Sequence, residues 1–344
     1  MTELALAAGF GSIRRFNEVF QQLYGRPPKS LRRAGVADQS VSASGSVAVR
    51  LGYRPPYDWD GILSFLHARA IPGVEVVSDG RYQRTIAIGG DRGILTVEPD
   101  AKNCLKATVR LPGLKHLPAI IAGVRRVFDL AADPVMIGAH LSQDPVLAPL
   151  IAARPGLRVP GAWDGFELAV RAILGQQITV PAATGLAGKL VLACGEKLDA
   201  PDGRLTHLFP TPVQLAGGDL AGVGMPVARR MALLSLAASV AADPLIFGPR
   251  HSLQDAVGRL RSLAGVGEWT AQYIAMRALR EPDAFPAADI GLMRAMSAGG
   301  LRPSPGELLA RAEQWRPWRA YAAVHLWASE NNAVEGVNND QRAA

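Results

Sequence analysis

The amino-acid sequence predicts an α+β fold: a small antiparallel-sheet domain followed by an all-helical core, with a short helical pair ahead of both. Three observations predict it. Runs rich in β-branched and aromatic residues, each bounded by turn chemistry, are confined to residues 74–111. From about Asp133 onward apolar residues recur at three and four, broken by Pro and Gly, the spacing of short amphipathic helices. Between two such patterns stands Leu263-Ala264-Gly265-Val266-Gly267, a short apolar turn with Gly at two alternate positions.

Along the chain, residues 1–34 read as two short helices around Gly9-Phe10-Gly11-Ser12. Ser12 is placed to cap the second, Ile13–Leu23, and Tyr24-Gly25-Arg26-Pro27-Pro28 to end it. This is helix-turn-helix spacing, with Arg14 and Arg15 early in the second helix. Through Ala8-Gly9-Phe10, Phe16-Asn17, Phe20 and Gly25-Arg26-Pro27-Pro28 it resembles half of the DNA-binding region of the arabinose-regulator family, as a partial remnant. Residues 35–47, rich in Ser, Ala and Gly, read as a linker.

An antiparallel α+β domain is expected over 48–132. Asp58 to Ala70 has helical periodicity. Strands are expected at Val74–Val77, Tyr82–Ile88, Gly93–Val97 and Leu105–Leu111, with Asp79-Gly80 and Gly89-Gly90-Asp91 as turns. A helix from Leu117 to Leu130 closes the domain. Residues 133–332 read as short helices around a shared core, with a hairpin-joined pair at 252–280 whose second helix opens at Thr270. Residues 333–344 are a polar tail.

At 344 residues, with 49% hydrophobic residues, the chain is long enough for two or three domains and a sizeable core. The net charge of +7 suits a polyanionic partner, and residues 1–34 hold six Lys or Arg against two Glu. Only two cysteines occur, Cys104 and Cys194, which excludes a four-cysteine iron–sulfur cluster and a disulfide framework. Six scattered histidines without metal-ligand spacing argue against a catalytic zinc. No run approaches the roughly 20 apolar residues of a membrane span. A cytoplasmic, monomeric protein with no membrane partner is expected.

The turn at 263–267 is where chemistry is expected. Gly permits positive φ and close approach of a partner's backbone. The free amides and partial positive charge of the following helix suit a phosphate, so the N–H groups of Gly265, Gly267 and Thr270 are candidate DNA contacts. Twenty residues on, Asp289 ends the run Ala284-Phe285-Pro286-Ala287-Ala288 as a lone carboxylate entering a helix. Read alone, it is as well explained as an N-cap.

Together these residues resemble the helix-hairpin-helix DNA glycosylase superfamily, and within it the DNA-3-methyladenine glycosylase II type. Supporting stretches include Pro56-Tyr57-Asp58-Trp59, Ala153-Arg154-Pro155-Gly156-Leu157-Arg158, Val170-Arg171-Ala172-Ile173-Leu174-Gly175-Gln176 and Arg316-Pro317-Trp318-Arg319. The resemblance spans roughly residues 50–332. It implies base flipping from double-stranded DNA containing alkylated bases such as 3-methyladenine and 7-methylguanine, followed by hydrolysis of the N-glycosidic bond. Asp289 would be the catalytic residue, stabilising an oxocarbenium-like sugar and positioning water. Phe65, Trp269, Tyr273 and Trp327 would line the base pocket, where ring faces favour electron-poor bases by roughly 0.5–2 kcal/mol per contact.

The resemblance also implies the reaction type. Members that cut the strand carry a Lys where this chain has Trp269, so a monofunctional hydrolase without lyase activity is expected. Gln177 falls at the position of the family's Leu wedge. No cofactor is required, and the main-chain carbonyls of Arg261, Leu263 and Val266 would hold Na+ or K+. Ala328 stands where the family carries Tyr. A rival reading, motivated by residues 1–34 and Ala328, is a DNA-binding regulator or alkylation-damage sensor without catalysis.

Overall fold

The structure is a computed structural model and describes residues 46–113, 115–248, 251–297 and 301–330. The helix-turn-helix expected in residues 1–34 and the tail at 333–344 lie outside the described residues.

Alternation of apolar side chains builds the sheet. In β5 (Cys104–Arg110) Leu105, Ala107 and Val109 are buried while their neighbours are not, the period-two pattern of a strand with one covered face. Five strands form one antiparallel sheet in the order β1-β5-β4-β3-β2, with β1 Ser46–Gly52, β2 Glu75–Ser78, β3 Arg81–Ile88 and β4 Asp91–Asp100. The β2–β3 and β3–β4 turns use Asp79-Gly80 and Gly89-Gly90, all four residues at positive φ. One face of the sheet packs on α1 (Trp59–His67) and α2 (Leu117–Val127), through Ile62, Leu66, Ile120 and Val124.

The helical core follows as α3 (Pro134–Leu141), α4 (Leu147–Ala153), α5 (Gly165–Leu174), α6 (Val180–Cys194), α7 (Pro212–Gly217), α8 (Val227–Ala242), α9 (Leu253–Arg261), α10 (Glu268–Arg277), α11 (Ile290–Ala295), α12 (Pro305–Ala312) and α13 (residues 319–330). At its centre lies α5, buried at Phe166, Glu167, Leu168, Ala169, Val170, Ala172, Ile173 and Leu174. Thr179 caps α6, and Thr211 and Ser304 start α7 and α12 with reciprocal capping boxes.

Three features depart from the sequence reading. Strand β1 begins inside the expected linker, because Val47 and Leu51 reach the core and seven residues pair with β5. The helical region contains a two-stranded ribbon, β6 (Lys197–Asp202) and β7 (Leu205–His207), turning at Gly203 with φ 57°. It caps the other face of the sheet, where Leu198, Leu205 and Leu208 pack on Ile94, and the Thr85 hydroxyl donates to the His207 carbonyl at 2.8 Å. Finally, α10 opens at Glu268 rather than Thr270, with Gly267 as its N-cap.

Candidate active site

Asp289 is the N-cap of α11, and its Oδ1 accepts the Leu292 amide at 3.0 Å. That is the ordinary capping role. Two further bonds go beyond it. Trp269 Nε1 donates to Oδ2 at 2.9 Å, and Trp327 Nε1 donates to Oδ1 at 2.9 Å. A carboxylate offers about four acceptor sites, so three donors from α10, α11 and α13 fix its plane and leave one site on Oδ2. A side chain at Gly291 would crowd this arrangement, since its Cβ would lie 3.0 Å from Oδ1 and 3.4 Å from Trp327 Cδ1.

The carboxylate borders a cavity of about 1100 Å³ between the sheet domain and the helical core. Because Trp269 sits in the first turn of α10, Tyr273 follows one turn later on the same face. Their rings stack at 5.2 Å and 9°, and Tyr273 meets Trp327 edge-on at 6.3 Å. Phe65 reaches the same cavity from α1. All four pocket aromatics named from sequence therefore share one cavity with Asp289. Ala328 is half-buried and packs against the helical core beside Trp327.

Sequence reasoning missed the arginines among these rings. The Arg69 guanidinium lies 3.8 Å from the Phe65 centroid and that of Arg277 lies 4.7 Å from it. Arg277 Nη1 donates to the Tyr273 hydroxyl at 2.6 Å. Burial would raise the Tyr273 phenol, but Arg277 and Arg69 outweigh it and bring it below its ordinary value. Both pairs, Phe65 with Arg69 and Tyr273 with Arg277, are spaced four apart, the signal that could have found them.

Below the rings lies a second missed feature, a buried ionic cluster. Arg84 Nη2 bonds Glu167 at 2.7 Å, Arg171 Nη2 bonds Glu167 at 2.6 Å and Glu75 at 2.5 Å, and the Tyr82 hydroxyl donates to Glu75 at 2.6 Å. It joins β2 and β3 to α5. Burial would raise the Glu167 carboxyl, yet Arg84 and Arg171 prevail and hold it at about 2.

Gln177 lies between α5 and α6 at the cavity rim, exposed and at φ 59°. A non-glycine residue there costs on the order of 1–2 kcal/mol. Its neighbour holds the loop in place. Gln176 Nε2 donates to the Gly265 carbonyl at 2.8 Å and to Thr270 Oγ1 at 3.1 Å, while Arg229 Nη2 donates to the Gln176 carbonyl at 2.5 Å.

In the hairpin only Gly265 has positive φ, 79°, and a Cβ there would come within 2.6 Å of Ala232 Cβ. Gly267 is extended, with open space where a Cβ would be. The Thr270 side chain is buried and bonded to Gln176, so an outward contact there falls to its amide. Arg261 is exposed, whereas Leu263 and Val266 are buried, and the Leu263 carbonyl accepts the Val266 amide at 3.1 Å. Asp283, six residues before Asp289, is paired with Arg319 at 2.8 Å and with Arg316.

A carboxylate held by two indoles in a ring-walled cavity, beside a helix-hairpin-helix, defines a class of base-excising enzyme. Comparison with known proteins gives the particular family. Residues 48–164 match the AlkA N-terminal domain family. The chain is 38% identical to DNA-3-methyladenine glycosylase 2 of Escherichia coli (strain K12) over 285 residues, covering 81% of this chain and 96% of that protein. It is 41% identical to a probable bifunctional transcriptional activator/DNA repair enzyme AlkA of Mycobacterium tuberculosis, covering 96% of this chain and 67% of that one. The fold is shared with a 3-methyladenine DNA-glycosylase from Archaeoglobus fulgidus, with a TM-score of 0.71 at 21% identity over 82% of this chain and 98% of that one. This chain belongs to the AlkA-type DNA-3-methyladenine glycosylase family. It is a DNA glycosylase, a hydrolase of base-excision repair.

Proposed function

We propose that the enzyme removes alkylated bases from double-stranded DNA as a monofunctional glycosylase, with Asp289 as its catalytic residue. The observation that carries this reading is the Asp289 carboxylate, oriented by two indole N–H groups at the edge of the cavity. A base alkylated at a ring nitrogen leaves with the glycosidic electron pair and becomes neutral, so it needs no acid. Positive charge then develops at the sugar. A fixed carboxylate stabilises that charge without reorganising. Water adds to the anomeric carbon, and its proton passes to the free Oδ2 site and on to solvent.

Two features support duplex DNA as the substrate, and a third supports water as the nucleophile. Amides of the hairpin suit a backbone phosphate. Gln177 projects from a constrained loop at the rim, where it would fill the gap left by a flipped nucleotide. No lysine follows Lys197 in the sequence, and Trp269 has no amine to attack the sugar. The carbonyls of Arg261, Leu263 and Val266 are neutral oxygen donors, a set that fits Na+ or K+ better than a divalent ion.

The test is release of methylated bases from dimethyl-sulfate-treated DNA. The wild type should release 3-methyladenine, and Asp289→Asn should lose that release by 10²-fold or more. Equal release by both would end the assignment.

A further inference from the structure

Resting on the glycosylase reading above, we infer that Arg69 is a specificity-determining residue: its guanidinium donates to a carbonyl oxygen of the flipped base, so the pocket favours alkylated guanines over alkylated adenines. Five arginines line the cavity, and one of them, Arg294, is paired with Glu330 at 2.6 Å. Arg84 and Arg171 are matched by Glu75 and Glu167. Arg277 is committed to the Pro160 carbonyl at 2.8 Å, the Gly161 carbonyl at 3.1 Å and the Tyr273 hydroxyl at 2.6 Å. Arg69 differs. Among the described residues it makes no salt bridge, Asp289 acting on it only as a nearby charge, and its bonds are to the Phe65 carbonyl at 3.3 Å and to the Tyr273 phenol.

A guanidinium carries five N–H donors in a planar fork. Arg69 has more donors than its two bonds use, and it lines the cavity together with Phe65, Tyr273 and Asp289. The group is also held in place. Arg171 Nη1 donates to the Arg69 main-chain carbonyl at 2.7 Å, and the Arg69 guanidinium carbon sits over the Phe65 ring, 3.8 Å from its centroid. Burial depresses the Arg69 pKa from its ordinary value, the cost of a cation kept in a partly dry pocket.

The guanidinium also changes what the rings can do. Cation–π attraction at Phe65 is already supplied by Arg69 and Arg277. A cationic base that slides in gains little there and meets like charge, unless its edge presents an acceptor to the fork. Guanine presents a carbonyl oxygen at C6, where adenine presents an amino group that would face N–H with N–H. A site with a buried donor discriminates against the partner that cannot accept from it.

The experiment is a single digestion of dimethyl-sulfate-treated duplex DNA in which 3-methyladenine, 3-methylguanine and 7-methylguanine are resolved chromatographically. The first two carry the methyl group at the same ring position. Arg69→Leu should lower 3-methylguanine and 7-methylguanine release about tenfold or more relative to 3-methyladenine. Arg69→Lys, which keeps a donor and the charge, should shift the ratio less, and it supplies the readout if the Leu variant does not fold. An unchanged ratio in a variant that still releases base would overturn the specificity role and leave the glycosylase reading standing. Absence of all release by the wild type would overturn both.

Discussion

Asp289 unites a local structural job with the chemistry proposed for it. Its Oδ1 closes the first turn of α11, as any capping Asp would, while two indoles fix the carboxylate against the cavity. The indole bonds therefore matter separately from the rings. Trp327→Phe keeps an aromatic wall and removes one donor to a charged acceptor, an interaction of about 1.5–3 kcal/mol. The expected outcome is a ten- to hundredfold slower single-turnover release of 3-methyladenine, with duplex affinity nearly unchanged. Trp327→Ala should lose both. A single-turnover rate for Trp327→Phe equal to the wild type would mean that two donors are enough to orient the carboxylate.

At the scale of elements, the hairpin and the rim loop are one unit, because Gln176 bridges them and α8 braces both through Arg229 and Ala232. Gln176→Ala should reduce base release from duplex DNA more than from single-stranded DNA of the same sequence, since only the duplex requires nucleotide extrusion. Gly265→Ala meets both a 2.6 Å approach to Ala232 Cβ and a φ of 79°, and should cost about 1–3 kcal/mol in urea unfolding. The sequence was informative where periodicity was strong. Strands β2 to β5 and the hairpin-joined helices at 252–280 are legible to within a few residues, whereas the convergence of Phe65, Trp269, Tyr273, Trp327 and Asp289 was implied by the family resemblance and not by periodicity. Strand β1 was obscured because its alternating Val47, Val49 and Leu51 run straight on from a Ser-rich stretch, and the β6–β7 ribbon because Lys197, Asp199 and Asp202 leave too few apolar positions to show a period. The ionic cluster was hidden for a different reason: Glu75, Arg84 and Glu167 become partners only when distant segments pack.

For the whole molecule, that cluster and His325 govern the response to acid. Burial pushes the His325 imidazole down to about 4, so its neutral form is favoured in the folded state. The stability it contributes is present above its ordinary value near 6.5 and is lost as pH falls toward 4. Glu167, held at about 2, contributes stability above its ordinary value near 4.5 that declines as pH falls toward 2. Thermal unfolding should therefore lose Tm in two stages on acidification. Glu167→Gln should flatten the lower stage while costing about 3–5 kcal/mol at pH 7, because Arg84 is left buried with half its partners. Removal of residues 1–45 stops short of β1, which starts at Ser46, and should leave base release intact. Loss of release would favour a role for that segment in the reaction rather than in regulation.

The two indoles that grip Asp289 also make the protein its own optical reporter. Tryptophan emission responds to nearby charge, to stacking and to the exclusion of solvent, and a nucleobase entering between these side chains alters all three at once. Stopped-flow fluorescence of the unlabelled enzyme should therefore resolve extrusion of a nucleotide as a phase separate from first encounter with the helix, and Asp289→Asn should keep that phase while bond scission is blocked.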